Sequence, residues 1–278
     1  FGTKAAIFPL HFWLPASYHT PPTPVSAIFG GLLTKVGVYA LYRSYSLLFP
    51  QQWAGHRTLL FVLAVCTMVV GVLGAVAQRD TKRLLSFHVI SQIGYLILAL
   101  ALATPLAMAA GVYFMLHIIL VKTALFLVAG LIERATGTVD LYACGGLLTR
   151  KPLLAGLFLV NALSLAGMPP LSGFFAKYGL VLAGLQAQAY APVAGALAVS
   201  MLTLFSMVKI WIQGFMKRMP EGVYPQGAAE PLLSASAGAL AACALAVAIA
   251  AGPLWNLAMQ AAQQLLHPEG YIRAVLGG

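Results

Sequence analysis

The sequence predicts an all-α transmembrane fold with about eight spans, two of them broken helices, and three observations carry that reading. Hydrophobic residues make up 61% of the 278 residues and charged residues only 8%. With a mean hydropathy of +0.90, such a chain needs a bilayer rather than water as its solvent. Apolar runs of the ~20 residues needed to cross a membrane recur along the chain. Short loops separate them and hold most of the charge, with Lys and Arg concentrated in alternate loops.

In chain order the apolar segments run over roughly 1–18, 24–49, 58–78, 83–104, 106–132, 152–183, 190–215 and 231–257. The first contains Ile7-Phe8-Pro9-Leu10-His11, and Pro9 removes a backbone donor inside the helix, so a break is expected there. The sixth contains Gly167-Met168-Pro169-Pro170-Leu171-Ser172-Gly173, where Gly167, Pro169, Pro170 and Gly173 together predict a second break. Backbone groups freed at membrane depth are tolerated only against protein or a water-filled cavity, and paired broken helices mark sites in many transporters. A proline kink serving packing alone is the plainer alternative.

The loop after the third segment holds Arg79, Lys82 and Arg83, the one after the fifth Arg134, Arg150 and Lys151, and the one after the seventh Lys217 and Arg218. The positive-inside rule places these loops in the cytoplasm and the C-terminus outside, with Arg43 and Arg57 as mild exceptions. The net charge of +10 is scattered among loops without a basic stripe or aromatic platform, so no nucleic-acid partner is expected. Cys66, Cys144 and Cys243 have no CxxC or metal-like spacing and read as packing residues, with no metal site. The chain opens on Phe1 inside an apolar helix, without a signal-peptide n-region, and reads as a piece of a longer protein.

The lysines are the informative residues. The carboxylates Asp80, Glu133, Asp140, Glu221, Glu230 and Glu269 all fall in expected loops or the tail, leaving the membrane interior without a local anion. Lys4, Lys35, Lys122 and Lys177 nevertheless lie inside apolar segments, at a cost of ~2.5–3.5 kcal/mol each at the centre of a span. Lys35 and Lys122 fall near the middle of their spans, and Lys4 and Lys177 flank the two breaks. One such lysine can be a snorkelling residue, as expected for Lys209 near the cytoplasmic Lys217, but four at a similar depth argue for a purpose. A desolvated lysine favours its neutral form, and more so beside another cation, so a row of them can load and release protons. His11, His88 and His117 also lie within spans and either bridge between the lysines or are hydrogen-bonded core histidines. Ser91 and Gln92 beside His88 either order water or bond a neighbouring helix.

At these residues the sequence becomes recognisable. Lys4-Ala-Ala-Ile-Phe-Pro-Leu-His-Phe-Trp-Leu-Pro15, Ser17-Tyr-His-Thr-Pro-Pro-Thr-Pro-Val-Ser26 and Gly30-Gly-Leu-Leu-Thr-Lys-Val-Gly-Val-Tyr39 resemble the antiporter-like subunits of respiratory complex I and Mrp antiporters. Ser86-Phe-His-Val-Ile-Ser-Gln-Ile-Gly-Tyr95, His117-Ile-Ile-Leu-Val-Lys122 and Gly167-Met-Pro-Pro-Leu-Ser-Gly-Phe-Phe-Ala-Lys177 keep the family order. Ser17 to Pro22 and the terminal Tyr271-Ile-Arg-Ala-Val-Leu276 look most like the D-type subunits of multisubunit Na+/H+ antiporters. Complex I relatives usually carry an acidic residue soon after Trp-Leu-Pro, and their M-type subunit has a glutamate where this chain has Lys177.

The resemblance implies a fourteen-helix fold with two inverted five-helix repeats, of which this chain holds the C-terminal part. On that frame residues 1–57 are the last two helices of the first repeat, 58–218 the second repeat, and 219–278 a loop, the last transmembrane helix and a tail. Lys4, Lys35 and Lys177 match the family lysines of broken helix seven, helix eight and broken helix twelve, and Lys122 a helix-eleven position on the same polar axis. The family's helix-five glutamate, the partner of the helix-seven lysine, is not reached, so Lys4 is expected to be left without its partner. The implied role is proton translocation in a secondary Na+/H+ antiporter, not an enzyme, without cofactor. It would work beside other subunits in the plasma (inner) membrane of a bacterium or archaeon, and a proton-pumping subunit of complex I or a membrane-bound hydrogenase is the alternative.

Overall fold

The structure, a computed structural model, describes residues 1–218 and 231–276, and every regular element among them is helical. The two segments expected to break do so. The first is divided into α1 (Gly2–Ala5) and α2 (Trp13–Tyr18). After it, α3 (Thr23–Ile28) passes through a wide π turn, Phe29–Leu33, into α4 (Thr34–Leu47), and α5 (Pro50–Trp53) closes the following loop. The hairpin of α6 (Arg57–Ala77) and α7 (Thr81–Leu102) leads to α8 (Pro105–Thr136), the longest helix. A short 3-10 turn, Leu141–Ala143, and α9 (Leu147–Arg150) precede the second broken segment, α10 (Pro152–Ala166) and α11 (Ser172–Gln186). Then follow α12 (Tyr190–Ile210), widened at its end by a second π turn, α13 (Pro231–Ile249), α14 (Ala251–Leu266) and α15 (Glu269–Leu276). Six helical stretches among the described residues are long and apolar enough to cross a membrane: Thr23–Leu47, Arg57–Ala77, Thr81–Leu102, Pro105–Thr136, Tyr190–Met216 and Pro231–Ile249.

The helix ends follow local chemistry. The Asp80 carboxylate accepts the Arg83 N–H at 2.8 Å and the Thr104 hydroxyl the Ala107 N–H at 3.2 Å, so α7 and α8 start on side-chain caps. Pro105 then occupies the first turn of α8, where no donor is needed. Gly137, at φ 72°, ends α8 in the left-handed conformation that glycine adopts without cost.

Four expectations need correction. The last span is expected over 231–257, but the helix stops at Ile249 because Pro253 cannot donate to the Ile249 carbonyl and its ring would clash there. Beyond it α14 is a separate helix that buries Ala258, Ala262 and Leu265. Glu133 is not a loop residue but lies in the last turn of α8, whereas Glu269 lies in the tail as expected, at the start of α15; Glu221 and Glu230 fall outside the described residues. Lys82, expected as a loop cation, belongs to the first turn of α7 and is buried. Cys144 is a buried packing residue whose thiol is pushed up by burial, whereas Cys243 is exposed on the apolar surface of α13.

At the centre of the bundle stands α7, apolar on all sides and almost wholly buried, the pattern of a core helix. Its close contact with α6 depends on small residues, since a Cβ on Gly71 would lie 2.3 Å from the Ser91 backbone nitrogen, and one on Gly94 would lie 2.7 Å from the Ala64 carbonyl. Close backbone approach of this kind replaces the hydrophobic drive that lipid removes. A Gly71→Leu variant of the full-length protein is therefore expected to lower the thermal unfolding midpoint in detergent, by overpacking of about 1–3 kcal/mol or more. Gly238→Leu, at a site where nothing lies within 4 Å, should leave it unchanged.

Candidate functional site

Three of the four expected lysines are buried in the bundle: Lys35 on α4, Lys122 on α8 and Lys177 on α11. None of them has a carboxylate partner among the described residues. Backbone carbonyls take that role. The Lys35 ammonium donates to the Gly30 carbonyl at 2.5 Å, inside the π turn that widens the helix one turn earlier. Gly30 and Gly31 are small because α8 presses on them: a Cβ on Gly30 would lie 2.3 Å from the Phe126 ring, and one on Gly31 would lie 2.0 Å from the Thr123 hydroxyl.

Lys177 uses the second break. Its ammonium donates to the Leu165 and Ala166 carbonyls, both at 3.0 Å, at the end of α10. These belong to the last carbonyls of a helix, which have no intrahelical donor and carry its negative dipole end. The same ammonium stands 5.0 Å from the centre of the Tyr95 ring. Tyr95 is fixed by its hydroxyl, which donates to the Ala196 carbonyl at 2.7 Å and meets Ser200 Oγ at 2.8 Å. Lys122 donates to the Leu85 carbonyl of α7 at 3.2 Å and lies within electrostatic reach of both Lys35 and Lys177. The three buried lysines make up one file, in which Lys122 is the member that feels the other two.

The histidines divide. His88 Nε2 meets Ser206 Oγ of α12 at 2.6 Å, and His117 Nδ1 meets Ser172 Oγ, the first residue of α11, at 2.8 Å. Both histidines are fully buried within electrostatic reach of Lys122 and Lys177. Ser172 Oγ also lies 3.2 Å from Ser164 Oγ, so the break in the second segment holds His117 in place. The opposite ring nitrogens, His88 Nδ1 and His117 Nε2, have no partner among the described residues, and neither do Ser91 Oγ, both amide atoms of Gln92, Thr34 Oγ1 and Asn161 Oδ1. Buried polar atoms in proteins are generally satisfied by protein or ordered water, so this set marks where ordered water is expected inside the bundle.

His11 and Lys4 are not brought into the file. His11 is half-buried in the first break, stacked on Phe8 at 5.9 Å between ring centres. Lys4 is exposed on α1, although the backbone there packs tightly on α4, where a Cβ on Gly37 would lie 2.6 Å from the Ala5 nitrogen. Pro9 and Pro170 both follow cis peptide bonds. The Phe8 N–H freed at the first break donates to Thr67 Oγ1 of α6 at 3.0 Å, and the Thr67 hydroxyl donates to the Leu63 carbonyl at 2.5 Å. Lys209, expected to snorkel, donates to the Val76 and Gln78 carbonyls at the end of α6, at 3.0 and 2.6 Å.

Sequence reasoning missed Tyr95, Ser164, Ser172, Ser206, Thr34 and Asn161. Ser172 alone carried a usable signal, as a hydroxyl at a helix start directly after a Pro-Pro break.

A bundle of apolar helices with two breaks inside it and buried lysines set on backbone carbonyls defines a polytopic membrane protein. Residues 1–206 match the family model described as NADH:quinone oxidoreductase/Mrp antiporter, TM, and the chain belongs to that family. It is 47% identical over 276 residues to the D-type subunit of the Na(+)/H(+) antiporter from Alkalihalophilus pseudofirmus, covering 99% of this chain and 56% of that protein. To the corresponding D-type subunit from Bacillus subtilis it is 38% identical, with the same coverage of 99% and 56%. Among solved structures, a chain of the Mrp complex from Dietzia sp. DQ12-45-1b superimposes with a TM-score of 0.91 at 36% identity, covering 99% of this chain and 59% of that one. The chain thus spans about half the length of the curated relatives it matches.

Thr67→Val keeps the shape of the side chain but leaves the Phe8 N–H without its acceptor. A loss of about 1–3 kcal/mol is expected, read as a lower unfolding midpoint of the full-length protein, while Thr67→Ser should stay close to wild type.

Proposed function

We propose that this chain is the lysine-bearing part of a D-type subunit in a multisubunit Na+/H+ antiporter and that it carries protons along Lys35, Lys122 and Lys177. The observation that carries the reading is the file itself, three buried ammoniums whose partners among the described residues are backbone dipoles and an aromatic face. Protonating one lysine raises the cost of protonating the next through Coulomb repulsion in a weakly screened interior, which couples successive transfers. His88 and His117 lie within electrostatic reach of Lys122 and Lys177, each with one ring nitrogen that has no partner among the described residues, and an imidazole can pass a proton between its two nitrogens. Water held by Ser91, Gln92, Thr34 and Asn161 would complete the conducting path.

On this reading residues 1–57 complete a first inverted repeat and 58–218 form the second, and Lys4 finds its partner on another part of the full-length protein. The basic loops lie on the cytoplasmic face and the C-terminus outside. Other subunits of the complex are its partners. Sodium requires hard oxygen ligands, and the file offers lysine nitrogen, so the role assigned to this chain is proton handling.

The family description also names NADH:quinone oxidoreductase, which supports a second reading as a proton-pumping subunit of a redox complex. One experiment separates the two: Na+-driven ΔpH in everted vesicles carrying the full-length protein in its complex, wild type against Lys177→Ala at matched assembly. Lys177→Ala should reduce exchange about tenfold or more, the scale set by loss of a positioned proton-transfer group. Exchange at the wild-type rate would remove Lys177 from the relay. A wild type without Na+-driven ΔpH but with NADH- or hydrogen-linked pumping would replace the antiporter by the redox complex.

A further inference from the structure

The lysine file extends beyond Lys122 to a pair that the relay above does not include. Lys82, 5% exposed in the first turn of α7, forms an ion pair with Glu133 in the last turn of α8 at 2.5 Å. The Glu133 side chain is 37% exposed, so the pair runs from the interior to the aqueous boundary. Two contacts fix its relation to the file. The Lys122 ammonium donates to the Leu85 carbonyl at 3.2 Å, one turn along α7 from Lys82. On the same turn of α7 the Ser86 hydroxyl, fully buried, donates to the Lys82 backbone carbonyl at 2.8 Å. On α8, Lys122 and Glu133 share one face, three turns and about 16 Å apart. The pair is held in position from outside, because the Thr81 N–H donates to the Val139 carbonyl at 3.1 Å and the Leu141 N–H to the Arg79 carbonyl at 2.9 Å, joining the two loops that flank it.

We propose that Lys82 and Glu133 form the water-facing mouth of the relay. This rests on the relay reading given above. The Glu133 carboxylate takes a proton from water and becomes neutral, which leaves the Lys82 ammonium buried without its counter-charge. Lys82 then gives its proton inward to the neutral amine of Lys122, through the Ser86 hydroxyl or water. The proton on Glu133 moves to the Lys82 amine and the ion pair re-forms. One proton has left the water and one has arrived on Lys122, with no net change at the mouth; release to water runs the same steps backwards.

The other ionisable groups among the described residues at this end include Arg79 and Asp80 before α7, Arg83 on it, Arg134 on α8, Asp140 and Tyr142 in the following loop, Lys209 and Lys217 at the end of α12 and beyond it, and Tyr18 and His19 at the end of α2, which packs on α7. The carboxylates of Asp80 and Asp140 are engaged by the backbone N–H groups of Arg83 and Tyr142, at 2.8 and 2.9 Å. Lys82 and Glu133, by contrast, face each other side chain to side chain.

A pair that merely ties two helix ends together makes a different prediction, and Na+-driven ΔpH across a pH series in vesicles carrying the full-length complex separates them. Glu133→Gln, assembled at the wild-type level, should slow exchange about tenfold and alter its pH profile. The swapped variant Lys82→Glu/Glu133→Lys restores an ion pair and hence assembly, but it should remain slow because the carboxylate no longer faces water. Wild-type rate and pH profile in Glu133→Gln, or full exchange in the swapped variant, would overturn the mouth. Lys122→Ala in the same vesicles tells the two failures apart: if it abolishes exchange the file stands without this mouth, and if it leaves exchange intact the relay reading fails first.

Discussion

The structure is organised around one electrostatic constraint, the burial of cations in a region of the membrane that supplies them no anion. A helix normally consumes its own carbonyls, so an ammonium inside a helical bundle has few acceptors within reach. This chain supplies them by interrupting helices beside its lysines. The π turn at Phe29–Leu33 offers the Gly30 carbonyl to Lys35, and the end of α10 offers Leu165 and Ala166 to Lys177. Lys122 is the exception, since it draws on the second lone pair of a carbonyl inside the intact helix α7.

Each interruption needs support from its neighbours. The first break is satisfied by the Thr67 hydroxyl, the π turn by Gly30 and Gly31 against α8, and the second break by Gly173, where a Cβ would lie 1.9 Å from the Ser164 carbonyl. Residues far from any proton, such as Gly71 and Gly94, follow from the same logic. They let α6 seat against α7, and α7 carries His88 and Tyr95 to the lysines.

Much of this is legible in the sequence because the bilayer imposes a strong pattern. Long apolar runs announce spans, and a proline within one announces a break, so the segments containing Pro9 and Pro169-Pro170 can be placed before any coordinates. The lysines stand out because an apolar run makes each charge visible. What stays hidden is pairing across helices. Nothing local marks Ser206 as the partner of His88 or Tyr95 as the ring under Lys177, since these contacts join positions more than eighty residues apart. Lys82 is hidden for another reason: it stands among Arg79 and Arg83 and looks like a third loop cation, although α7 begins at Thr81 and turns it inward. At Pro253 the signal is present but outweighed by the unbroken apolar composition around it.

Carbonyl solvation of Lys177 has a consequence for reversibility. When a buried lysine paired to a carboxylate gives up its proton, it leaves a bare anion in a medium that cannot stabilise one, and the empty state is penalised as heavily as the charged one was rewarded. A lysine seated on Leu165 and Ala166 leaves behind only neutral dipoles already anchored by their own peptide planes. Release therefore strands no counter-charge, and the relay proposed for this file would use that property in every cycle of filling and emptying.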